Sequence, residues 1–90
     1  MKALTGTKEQ IERAAEIRKA ILAGEGIAMS EEALRNSIHG FNGPQEVKDE
    51  HEAILDRIIA HTSARWWIAN RAKTLVGLFA EAAEREGVQA

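Results

Sequence analysis

QEVKDEHEAILDRIIAHTSARWWIANRAKTLVGLFAEAAERE, residues Gln45–Glu86, runs on without a proline and with a single glycine, Gly77. Its apolar residues recur at helical rather than strand spacing. One reading is a single very long helix. The preferred reading breaks it at His61-Thr62-Ser63, where two adjacent residues make good N-caps. Helices over 45–61 and 63–86 follow, the second roughly 36 Å long at about 1.5 Å per residue.

Outward from this segment, the rest of the chain is also helical. Thr7 is an N-cap with Gln10 at the third helical position, a capping box that opens a helix over 7–23, closed by Gly24 as left-handed cap. A connector, Glu25 to Met29, leads to Ser30, the next N-cap, where Glu31 and Glu32 suit the positive end of the helix dipole. That short helix, 30–39, ends at His39-Gly40. Gly40-Phe41-Asn42-Gly43-Pro44 is a loop whose proline suits the start of the following helix. The expected fold is all-α: one domain over 1–90, a small bundle of three to four helices with a long last helix.

Composition narrows the class. Hydrophobic residues are 44% and charged residues 29% of the 90, values of a globular chain. There is no cysteine, so neither a disulfide framework nor a thiolate metal site exists, which fits a reducing cytoplasm. No apolar run approaches the roughly 20 residues that span a bilayer, and the start, Met1 to Thr7, turns polar too early for a signal peptide. A net charge of −2 speaks against a strong polyanion binder.

Helical winding then sorts the residues into faces. On the first helix Ile11, Ala14, Ala15, Ile17, Ile21 and Leu22 share one side, and Arg18 projects from the middle of it. Arg18 is either a snorkelling side chain whose stem packs and whose head reaches water or an acidic partner, or a buried, paired guanidinium that organises a polar network or an interface. On the third helix Val47, Ile54, Leu55, Ile58 and Ile59 face inward, with His51 among them as a core histidine and His61 at the edge. Its outer face carries Glu46, Asp49, Glu50, Glu52 and Asp56, only partly offset by Lys48 and Arg57: a solvated strip, a docking surface for a basic partner, or a crude imitation of a phosphate backbone.

On the last helix Ala64, Ile68, Ala72, Leu75, Val76, Leu78, Phe79, Ala82 and Ala83 cover an arc of roughly 200°, wider than one amphipathic stripe. Such a helix is central in its bundle or also packs on a second subunit. Trp66, Asn70, Lys73 and Gly77 align on the remaining side, with Gly77 admitting another backbone. Two adjacent tryptophans point about 100° apart, so Trp67 is assigned to internal packing and Trp66 to a contact surface. The other arrangement has both indoles capping the bundle against Phe41. Arg65, Arg71 and Lys73, beside Trp66 and Trp67, form a small cationic and aromatic patch, the nucleic-acid or nucleotide alternative.

No catalytic set emerges. The sequence lacks a phosphate loop, a His-Glu-x-x-His zinc motif and a Glu-x-x-His pair. Ser30, Ser37 and Ser63 have no histidine at an instructive spacing. An enzyme is not expected, nor a metal or cofactor. Leu4-Thr5-Gly6-Thr7 with Gln10-Ile11 and Glu16-Ile17-Arg18, together with Ala64-Arg65-Trp66-Trp67-Ile68 and Asn70-Arg71, resemble a loose group of small helical accessory proteins of phages, prophages and plasmids. The resemblance covers about a third of the chain and departs from the group's pattern at Arg13, where tryptophan is expected. It implies a mobile-element protein of the bacterial cytoplasm, similar to inhibitors of host defence such as anti-CRISPR proteins, which act by occupying a surface. The expected partner is a bacterial protein or protein complex, bound through Trp66, Asn70, Arg71, Lys73 and Arg18 by a homo-oligomer. The alternative binds nucleic acid through Arg65, Arg71, Lys73 and Trp67.

Overall fold

The computed structural model describes residues 3–25 and 28–87 and places five helices among them: α1 (Lys8–Ala23), α2 (Glu31–His39), α3 (Gln45–Ile59), α4 (Ala64–Ala69) and α5 (Leu75–Arg85). Met1-Lys2, Gly26 and Ile27, parts of the expected start and connector, lie outside the described residues. The described chain is all-helical apart from its connections and one isolated bridge between Thr5 and Ser63. None of these helices is long and apolar enough to cross a membrane.

A side-chain hydroxyl caps the start of α1, α2, α4 and α5, whereas α3 begins after Pro44 with no side-chain cap. The Thr7 hydroxyl accepts from the Gln10 amide at 3.2 Å while Gln10 Oε1 accepts from the Thr7 amide at 3.0 Å, closing the expected capping box. Ser30 caps α2 by accepting from the Ala33 amide at 3.1 Å, and Ser63 caps α4 by accepting from the Trp66 amide at 3.3 Å. Gly24 ends α1 in the left-handed region, φ +65°.

The long last helix is the expectation that fails. A second break at 70–74 divides it into α4 and α5. Asn70 closes α4, its side-chain amide donating to the Trp66 carbonyl at 2.8 Å, and Arg71 Nη1 donates to the Ile68 carbonyl at 2.9 Å. Two carbonyls of the last turn thereby find partners without a continuing helix. Thr74 then restarts the chain as N-cap, accepting from the Gly77 amide at 3.1 Å. The wide apolar arc was two narrower stripes joined end to end. On α5, Leu75, Leu78, Phe79, Ala82 and Ala83 are buried, whereas Ala72 and Val76 are exposed. Among the described residues no second backbone approaches Gly77: the nearest atom to an added Cβ is the Thr74 hydroxyl oxygen, at 3.3 Å.

Residue pairs fix the helix directions. Arg35 meets Asp56 and His39 meets Glu52, so α2 and α3 form an antiparallel hairpin. His51 meets Phe79 and Arg57 meets Glu86, so α3 and α5 run parallel. α4 lies along α1 with its start clipped to the N-terminal segment. The Thr5 amide donates to the Thr62 carbonyl at 2.6 Å, and the Ala64 amide donates to the Thr5 carbonyl at 3.0 Å. An added Cβ on Gly6 would meet Ala64 Cβ at 3.2 Å, so glycine permits this approach. The molecule measures 43 × 26 × 20 Å, and its short axis admits about two helix diameters of 10–12 Å. Trp67, Ile54, Leu55 and Leu75 are the largest fully buried side chains in the shared core.

Candidate functional site

The two tryptophans divide as their 100° offset requires. Trp67 is wholly buried and its indole N–H donates to the His61 carbonyl at 2.9 Å. Trp66 is half-buried and packs on the edge of the core. The imidazole of His61 lies flat on Trp66, with centroids 3.8 Å apart and planes 5° apart, and Trp67 meets Trp66 edge-on at 4.9 Å. The α3–α4 connection thus supplies a histidine and α4 an indole, forming an aromatic step at the surface. Burial, and then the nearby Arg85 guanidinium, push the His61 pKa below its ordinary value of 6.5. The imidazole is therefore neutral at pH 7 and stacks on the indole as an uncharged ring.

The other expected contact residues are distributed around this step rather than along one helical ridge. Arg65 is exposed next to Trp66 in the first turn of α4 and has no ion-pair partner among the described residues. Asn70 and Arg71 cap α4 as described, and Lys73 is paired with Glu81 at 3.0 Å. Arg71, Lys73 and Thr74 border a cleft of about 160 Å³ whose other wall is the end of α1, including Gly24 and Glu25. Arg18 is half-buried on the far flank of α1, its stem beside Ala15 and Leu22, and no described residue pairs with it. The break at 70–74 is what scatters the set.

The nucleic-acid alternative loses part of its machinery. Trp67 has no exposed face on which a base could stack. Trp66 has one face covered by His61, and two of the three expected cations already hold local partners. His51 is a core residue, tilted against Phe41 at 6.1 Å and edge-on to Phe79 at 5.6 Å. Phe41 therefore serves His51, and neither indole caps the loop.

The carboxylates of α3 are partly occupied by α2, with Asp56 on Arg35, Glu52 on His39, and Asp49 accepting from Gln45 within α3. The hydroxyls of Thr7, Ser30, Ser63 and Thr74 are N-caps. No three histidine or acidic side chains converge on a point suited to a metal ion among the described residues. Sequence reasoning placed His61 only at the edge of a stripe and missed its stack on Trp66. The available signal was the spacing of five between an end-of-helix histidine and an indole one turn into the next helix. No family model matches this chain, and neither does any curated protein or solved structure.

Proposed function

We propose that this chain is a non-catalytic interaction protein that occupies a surface of a bacterial protein or protein complex, with Trp66 as its anchor. The observation that carries the reading is the division of labour between the indoles. Trp67 is wholly buried in the core, while Trp66 is left half-buried on a neutral imidazole, beside an Arg65 that has no ion-pair partner among the described residues. A rigid, pre-positioned indole at a surface is the side chain that most often anchors a protein–protein contact, because it brings large area at small entropic cost. The hydroxyls engaged as caps and the scattered carboxylates favour binding over chemistry.

A mobile-element setting in the bacterial cytoplasm, with a role like that of an anti-CRISPR or another inhibitor of host defence, rests on the two resembling segments. They pack against each other as α1 with its leading residues and α4, joined by the Thr5–Ser63 bridge. The test is affinity capture from a bacterial lysate with nuclease added. A protein captured by the parent chain should be lost with Trp66→Ala and Arg65→Glu but retained with Val76→Ala, an exposed apolar control on α5. Capture unchanged by Trp66→Ala removes the anchor. Capture abolished by nuclease returns the reading to nucleic acid.

A further inference from the structure

We propose that the chain pairs with a second copy of itself across the outer flank of α1, where Arg18 and Lys19 of each copy meet Glu31 and Glu32 of the other. This inference is independent of the Trp66 site. Two open depressions share Leu22 and Ala23 as their common floor. One, of about 480 Å³, is bounded by Ala15, Arg18 and Lys19. The other, of about 540 Å³, is bounded by Ser30, Glu31, Glu32 and Arg35.

The two depressions carry opposite charge. In the second, Arg35 is already engaged by Asp56 at 3.1 Å and by Glu31 at 3.7 Å, so the local balance is negative. Arg18, Lys19 and Glu32 have no ion-pair partner among the described residues. The free cations and the free carboxylate thus stand on either side of one small apolar strip, and within a single copy they do not meet. A two-fold axis through Leu22-Ala23 reverses the strip. It lays the basic end of one copy on the acidic end of the other and the reverse, which is the self-complementarity an isologous contact requires. Arg18 gives the arrangement its register: a half-buried guanidinium has lost part of its hydration, and a carboxylate from outside replaces it. Leu22, half-buried in the monomer, supplies the apolar contact at the axis.

The cysteine-free sequence makes the test direct. Ala23 is exposed beside the proposed axis, so Ala23→Cys should form a disulfide-linked pair under mild oxidation. Ala53→Cys, exposed on α3, should not. Light scattering of the unaltered chain should give twice 9.9 kDa. Adding Arg18→Glu and Lys19→Glu places like charges together twice over and should weaken pairing on the order of a hundredfold. Mixing that variant with one carrying Glu31→Lys and Glu32→Lys should restore the cross-link between unlike chains. Lys19 is exposed, so Lys19→Glu alone serves should the double variant unfold. A mass of 9.9 kDa at every concentration overturns the proposal. Cross-linking of Ala23→Cys no greater than that of Ala53→Cys overturns it too, as does cross-linking indifferent to the charge at residue 19.

Discussion

Replacing Trp67 by alanine and, separately, Trp66 by alanine sets two neighbouring indoles against each other in the same helix. Trp67 is 0% exposed. An indole side chain buries about 150–250 Å²; at about 25 cal/mol per Å² this is about 4–6 kcal/mol. The His61 carbonyl also loses its 2.9 Å donor. Large-to-small core replacements of this type cost about 3–5 kcal/mol once the site relaxes. A chain of 90 residues has a total stability of about 5–13 kcal/mol. Trp67→Ala therefore removes about a quarter of the stability at least, and in a marginal fold all of it. Trp66 is half-buried, so its area contribution is about half as large. The stack on His61 adds about 1 kcal/mol, and release of the side chain offsets part of the loss. Its alanine variant should cost about 1–3 kcal/mol and leave the helix content intact, since Ser63 caps a backbone amide that alanine retains. Urea unfolding followed by far-ultraviolet circular dichroism separates the two. Equal losses for both variants would make Trp66 a core residue and remove the reason for placing a contact surface there.

Gly24→Ala combines a left-handed backbone, φ +65°, with a Cβ that would lie 2.5 Å from the Ser30 amide nitrogen and 2.6 Å from the Ala28 carbonyl oxygen. A loss exceeding the roughly 1–2 kcal/mol of the backbone conformation alone is expected by denaturant titration; a neutral effect would contradict the described α1–α2 connection. Thr74→Ala removes the cap of α5 at a cost of about 1 kcal/mol and should speed hydrogen exchange at the Gly77 amide, which a continuous helix through 70–74 would not show. His61 gives a pH dependence with a definite sign. Burial and Arg85 hold its folded pKa below 6.5, so the unfolded chain takes up the proton first as pH falls. Stability then declines from about pH 6.5 down to the folded value and levels off below it. His61→Gln should flatten that window in a series of urea midpoints, and an unchanged slope would refute the assignment.

Four of the five helix starts were legible because a side chain announces each one locally: Thr7 with Gln10, Ser30, Pro44 and Ser63. The buried faces of α1 and α3 followed from spacing alone, down to His51 in the core stripe. The stack of His61 on Trp66 was not legible, because it depends on the path of a four-residue connection held by Thr5, a residue 57 positions from Thr62. The pairing of α2 with α3 was hidden for the same reason: Arg35–Asp56 and His39–Glu52 are long-range contacts with no local spacing to betray them.

The unread break at 70–74 bears most on function. A helix whose apolar arc exceeds what one contact face can cover has two explanations: a second subunit shares it, or it is not one helix. Cap residues decide between them, and here Asn70 and Thr74 bracket a basic tripeptide, Thr74 starting α5 as Ser63 starts α4. Once the chain turns, α5 packs parallel to α3 and its stripe meets the core, leaving Ala72 and Val76 as the exposed members of the former arc. The surplus apolar surface that argued for an oligomer thereby disappears from the last helix. The exposed features that remain are smaller and more polar: an indole edge on a neutral imidazole at one end of α4, and on the flank of α1 a half-buried guanidinium with no ion-pair partner among the described residues.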